Sequence, residues 1–93
     1  MSGGIPHSSL RIPHSKVSDK QLLTQFGKRI RELRQARGLS QEQLADETGF
    51  HRTYIGMVER GERNLSLSNV AVFARVFEIS VSELLAFERG GRA

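Results

Sequence analysis

Residues 39–61 read LSQEQLADETGFHRTYIGMVERG, and the fold turns on them. Ser40-Gln41-Glu42-Gln43 is a capping-box pattern: a hydroxyl accepts from the backbone three residues on, and a side-chain amide reaches back. It opens a short helix with Leu44 and Ala45 inward. Gly49 closes that helix, where a left-handed residue is favoured. A further helix runs from about His51 to Arg60, with Tyr54, Ile55 and Val58 toward the core, and Gly61 stops it. The segment reads as helix, tight turn, helix.

Working upstream, Leu22, Phe26, Ile30 and Leu33 recur at helical spacing from about Asp19, with Lys28, Arg29 and Arg31 off that stripe. Gly38 ends this helix after Arg37. Downstream, Glu62-Arg63-Asn64 is a polar loop. Ser66 caps a helix whose expected inward positions are Leu67, Val70, Ala71, Ala74 and Phe77. Ser80-Val81-Ser82-Glu83 is a second capping box, starting a last short helix with Val81, Leu84, Leu85 and Phe87. No segment alternates with period two, so the expected fold class is all-α, with five short helices. Residues 1–18 hold both prolines and no apolar periodicity, and read as a mobile N-terminal arm. They are either a tail or a basic arm that touches phosphate or a partner. Residues 19–88 form the expected domain, with the central motif at about 41–60, and residues 89–93 a frayed tail.

Ninety-three residues make one domain at most. The chain has no cysteine, so it has no disulfide, thiolate metal site or cysteine nucleophile. His7 and His14 lack neighbouring ligands; no metal and no cofactor is expected. No serine lies in a nucleophile-elbow pattern, no phosphate-binding glycine loop is present, and the three histidines have no evident catalytic partner, so an enzyme is the weakest reading. No apolar run approaches the ~20 residues of a membrane helix. The first ten residues lack a secretory pattern, so a cytoplasmic location is expected.

Charge is uneven. The net charge is +4 and the isoelectric point about 10.3. Through Gln41 there are eight bases against two acids; from Glu42 onward, six bases face eight acids. The basic half is a candidate footprint for an acidic partner such as nucleic acid.

The residues on this frame resemble the Xre-like repressors, which include Cro and the lambdoid phage repressors. The likeness rests on Gly38-Leu39-Ser40-Gln41-Glu42-Gln43-Leu44-Ala45, then Gly49, Tyr54-Ile55 and Glu59-Arg60-Gly61, and spans roughly Phe26 to Leu85. Within that family, His51 to Ile55 and Val58 to Asn64 look most like controller proteins of restriction–modification systems. The resemblance implies a five-helix, lambda-repressor-like DNA-binding domain with a helix-turn-helix. Its implied function is a sequence-specific transcriptional regulator of double-stranded DNA.

A major groove about 12 Å wide admits one helix, entered by its N-terminal residues. Those residues here are His51, Arg52 and Thr53, with Gly56 and Met57 a turn later. Arg52 suits guanine O6 and N7, and Thr53 a thymine methyl or a phosphate. Gly56 would let the helix backbone sit close to the groove. Gln41 resembles the family's phosphate-contacting glutamine at a helix start. Arg63 and Asn64 resemble residues that grip the flanking backbone. Arg34 and Glu59 match a family pair read as mainly structural. Tyr54 is expected to pack its ring inward, with its hydroxyl toward phosphate or base. His51 is either a weak helix cap or a ring used on DNA.

One short helix reads few base pairs, so a homodimer on a pseudo-palindromic operator is expected. Phe73, Val76, Val81, Leu84, Leu85 and Phe87 are the candidate interface, being more apolar surface than one small core should need. Activation would require a surface facing RNA polymerase, for which Glu42, Asp46 and Glu47 are the candidates. The alternatives are an antitoxin-type autorepressor and a protein-interaction module on the same fold.

Overall fold

The structure, a computed structural model, describes residues 19–87. Both terminal segments, the expected arm and tail included, lie outside them. Among the described residues there are five helices and no strand: α1 (Asp19–Ala36), α2 (Gln41–Thr48), α3 (Arg52–Glu59), α4 (Leu67–Phe77) and α5 (Val81–Leu84). The expected all-α architecture is the observed one.

The helix starts follow the sequence chemistry. Ser40 Oγ accepts from the Gln43 backbone N–H at 3.0 Å, and Gln43 Oε1 accepts from the Ser40 N–H at 2.8 Å. Ser80 and Glu83 repeat the arrangement at α5, with 3.0 and 2.9 Å. Ser66 Oγ accepts from the Asn69 N–H at 3.1 Å. Each cap satisfies donors that the first helical turn leaves without partners, worth about 1 kcal/mol apiece. Gly49, at φ 82°, occupies the left-handed region and turns the chain from α2 toward α3.

One core joins all five helices: Phe26 and Ile30 of α1, Leu44 and Ala45 of α2, Ile55 and Val58 of α3, Phe73, Ala74 and Phe77 of α4, and Leu84 of α5. Phe73 is its centre. Its ring lies 6.2 Å from that of Phe26 and 5.3 Å from that of Phe50. Gly27 sets how closely α1 approaches α3. A Cβ there would collide with the Val58 carbonyl oxygen and lie 2.6 Å from that of Glu59. Backbone atoms cannot swing aside as a flexible side chain can, so only glycine fits.

Two expectations need correction here. Leu67 was expected inward and is 73% exposed. Phe73 and Leu84 were expected at a dimer interface and are both 0% exposed within the monomer. Helix α4 is apolar nearly all round, and its buried set is Phe73, Ala74 and Phe77, flanked by Val70. That stripe is rotated away from the one that begins at Leu67.

Arginines of α1 tie down the C-terminal helices. Arg29 donates from Nη2 to the Glu83 carbonyl at 2.9 Å and from Nε to the Leu84 carbonyl at 3.3 Å. Arg37 donates from Nη1 to the Val76 carbonyl at 2.9 Å. Late carbonyls of a helix have no partner within it, and cations complement that end. Part of the basic first half therefore serves the fold.

Two outcomes are expected. Leu84→Glu should unfold the domain, because it buries an unpaired carboxylate. A folded, monomeric variant by circular dichroism and sedimentation would contradict the buried placement. The second concerns pH. Backbone and hydroxyl hydrogen bonds from Ser80, then the nearby Arg29, hold the Glu83 carboxyl below its ordinary value of 4.5, with desolvation opposing. A lowered folded pKa stabilises fully above the unfolded value and fades as pH falls through the folded one. Glu83→Gln should therefore lower stability at neutral pH and flatten the acid limb of a stability–pH curve. Parallel curves for both proteins would contradict this.

Candidate nucleic-acid interface

Helix α3 is held at its C-terminal end and presents its N-terminal end. The hold is Glu59, whose carboxylate accepts three bonds. Arg34 of α1 donates from Nε to Oε2 at 2.6 Å and from Nη2 to Oε1 at 3.1 Å. Gln41 of α2 donates from Nε2 to Oε1 at 3.1 Å. Arg34 also donates from Nη1 to the Leu39 carbonyl at 2.9 Å. The Arg34 and Glu59 side chains are 11% and 4% exposed, so the pair is largely desolvated and two-pronged. Helices α1, α2 and α3 meet at this one carboxylate.

At the other end, His51 caps α3. Its ring Nδ1 accepts from the Thr53 backbone N–H at 3.2 Å. That fixes an imidazole where serine is commoner, on a residue that stays exposed. The sequence left the cap and DNA roles as alternatives; the cap is formed. Arg52 and Thr53 follow on the first turn. Both are exposed, and neither side chain has a hydrogen-bond or ion-pair partner among the described residues. Met57 lies a turn later and is half-buried.

Gly56 departs from its expected role. It is buried, and a Cβ there would sit 3.2 Å from Arg60 Nη1 and 3.8 Å from Gln41 Oε1. It makes room for protein side chains rather than facing outward. Arg60 pairs with Glu62 at 3.0 Å, which holds its pKa above the ordinary value, chiefly by the hydrogen bond; both groups are exposed and the pair contributes little.

Tyr54 is half-buried, as its mixed character suggested. Its ring meets Phe50 edge-on at 4.9 Å. Its hydroxyl accepts from Asn69 Nδ2 of α4 at 3.0 Å. Above the ring stands Arg63, with Cζ 5.5 Å from the centroid. Asn69 had no part in the sequence reading, which had no means of pairing residues fifteen apart across two helices. Arg63 and Asn64 are exposed, and Asn64 borders an apolar groove of about 310 Å³ lined by Leu22, Leu23, Leu65, Val70, Leu85 and Phe87. Of the expected dimer residues, Leu85 is exposed and Val76, Val81 and Phe87 are half-buried; only these four retain surface. Among the described residues no cluster of acids and histidines could hold a metal, and no helix is long and apolar enough to cross a membrane.

A helix-turn-helix family model matches residues 30–84, more than half of the chain. The chain belongs to the Xre-like helix-turn-helix family. It is similar to the control protein C.SmaI of Serratia marcescens, 40% identical over 74 residues, covering 80% of this chain and 88% of that protein. The control protein C.BamHI of Bacillus amyloliquefaciens is 41% identical over 63 residues, covering 67% and 78%. Among solved structures, the restriction–modification controller C.AhdI of Aeromonas hydrophila is 53% identical, covers 67% of this chain and 94% of its own, and superposes with a TM-score of 0.64. The C.Esp1396I controller, solved as a tetramer with its natural 35 base-pair operator, is 33% identical, covers 69% and 88%, and gives a TM-score of 0.62.

Arg34→Ala would strand the Glu59 carboxylate in a desolvated site. It should lower stability by about 3 kcal/mol in urea unfolding. An unchanged unfolding midpoint would show that the pair does not hold α1 to α3.

Proposed function

We propose that this protein is a sequence-specific regulator of transcription that binds double-stranded DNA as a homodimer and controls a restriction–modification operon. The carrying observation is the first turn of α3, where Arg52 and Thr53 stand exposed, with no side-chain partner among the described residues, on a helix fixed by Glu59. The family and the controller relatives support the same reading.

In this reading α3 enters the major groove. Arg52 reads a guanine edge and Thr53 a thymine methyl or phosphate, with His51, Tyr54 and Met57 beside them. Gln41, Arg63 and Asn64 hold the flanking phosphates and set register rather than sequence. Gln41 already gives one amide hydrogen to Glu59, so its second is the one left for an anion. Dimerisation uses Leu85 and Phe87 with Val76 and Val81, bringing two copies of α3 onto half-sites about one turn apart. The acidic residues Glu42, Asp46 and Glu47 of α2 are exposed and remain the surface proposed to face RNA polymerase. Residues 19–88 act as the DNA-binding unit, with residues 1–18 and 89–93 as appendages. The protein works in the cytoplasm without a cofactor and is not an enzyme.

Selection of duplexes from a random pool should yield a two-fold-symmetric site. On that site Arg52→Ala should reduce affinity about tenfold or more, while affinity for a scrambled duplex changes little and the melting curve is retained. Affinity for both duplexes should fall steeply with salt as counterions are released. Equal losses on both duplexes would make Arg52 a phosphate contact, and no preferred duplex would overturn the proposal.

A further inference from the structure

We infer that Asn69 is a positioning residue for the recognition surface: by donating its amide hydrogen to the Tyr54 hydroxyl, it leaves that hydroxyl a hydrogen-bond donor and directs it at acceptors on the duplex. The inference rests on the regulator reading and adds to it a residue of α4 that acts through α3.

The geometry is over-determined at each end. Asn69 sits in the first turn of α4, where its own backbone N–H is held by Ser66 Oγ at 3.1 Å. Its side chain reaches across to Tyr54, third residue of α3, at 3.0 Å. The Tyr54 ring cannot swing freely, because Phe50 meets it edge-on at 4.9 Å and Phe50 in turn packs on the central Phe73 at 5.3 Å. Arg63 covers the ring face, with Cζ 5.5 Å from the centroid. The hydroxyl oxygen is thus held in one place by groups from three parts of the chain.

Its polarity follows. A phenol hydroxyl has one hydrogen, which conjugation keeps near the ring plane, and lone pairs that accept. The Asn69 amide N–H is directed at the oxygen and occupies one of its acceptor sites, so the hydroxyl hydrogen points away from the amide. A donor on the first turn of a recognition helix complements phosphate oxygens, guanine O6 and N7, adenine N7 and thymine O4. It is mismatched to the amino groups of cytosine and adenine, which are themselves donors. Asn69 therefore contributes to discrimination by setting which way the Tyr54 hydroxyl points.

A tie that merely joined α3 to α4 would affect stability alone, so the test reads specificity. Asn69→Asp keeps size and replaces the donating amide by an acceptor, which captures the hydroxyl hydrogen. A carboxylate in the first turn also suits a helix N-terminus, so the fold is retained. Wild type, Asn69→Asp, Tyr54→Phe and the double variant would each be titrated against the duplex selected by the wild type and against its scrambled counterpart. The added negative charge weakens both duplexes alike and cancels in the ratio of affinities.

Each single variant should lower that ratio about tenfold, and the double variant should fall no further than Tyr54→Phe alone. Either of two results overturns the inference: an unchanged ratio in Asn69→Asp, or a drop of equal size when Asn69→Asp is added to Tyr54→Phe. In both of those cases the wild type still prefers its selected duplex, so the regulator reading stands. A wild type that prefers no duplex overturns the regulator reading and this inference together.

Discussion

The orientation of α3 depends on one carboxylate. Glu59 takes two bonds from Arg34 and one from Gln41, so three helices converge on two oxygen atoms. Such a pair contributes little net stability over an apolar substitute, since desolvation offsets most of the attraction. What it contributes is geometry. A two-pronged guanidinium fixes direction as well as distance, and lysine in its place would not. Gly27 complements it by letting the α1 backbone press against the carbonyls of Val58 and Glu59. A charged clamp and an absent Cβ therefore set the same angle from two sides. Because both act at the C-terminal end of α3, the side chains of Arg52 and Thr53 at its other end stay exposed.

The arginines show how misleading a charge count is by itself. The basic first half suggests a footprint for a polyanion. Arg29, Arg34 and Arg37 are nonetheless engaged with carbonyls or with Glu59. Lys20, Lys28 and Arg31 on α1 remain exposed, as do Arg52 and Arg63. Arginine suits the internal duties because one planar head can meet two carbonyls of a helix end while its stem covers apolar surface. The electrostatic field still arises from every one of them, since a cation bonded to a neutral carbonyl keeps its charge. At Arg34, paired with Glu59, that field is locally cancelled, and the nearby Glu83 offsets part of that of Arg29.

Local rules were legible in the sequence because they operate within four residues. The capping boxes at Ser40 and Ser80, the left-handed Gly49 and the stop at Gly61 all formed as their spacing implies. The Arg34–Glu59 pair was legible only through the family resemblance, since nothing local links residues twenty-five apart. What failed was the rotation of α4 and the fate of Leu84. The sequence LSNVAVFARVF is apolar on nearly every face, so periodicity does not choose between a stripe starting at Leu67 and one centred on Phe73. The choice is made by Phe26 of α1 and Phe50 of the turn between α2 and α3, which close around Phe73. The bond between Asn69 and Tyr54 was hidden for the same reason.

On the proposed reading of α3, these long-range contacts also explain how so short a helix discriminates. Helix α3 has eight residues, and Ile55, Gly56 and Val58 are buried while Glu59 is committed to the clamp. Little beyond its first turn is left to meet a partner. His51 holds that turn, Arg52 and Thr53 stand exposed on it, and Tyr54 is positioned by α4 and the loop that carries Arg63. A proposed recognition surface this small gains little from additional contacts and much from fixed ones, because each disordered side chain must lose rotamer freedom on binding. The packing of Phe50 against both Phe73 and Tyr54 carries that fixity from the core to the surface. Selectivity, in the proposed reading, is then a property of the whole five-helix core, delivered through one turn.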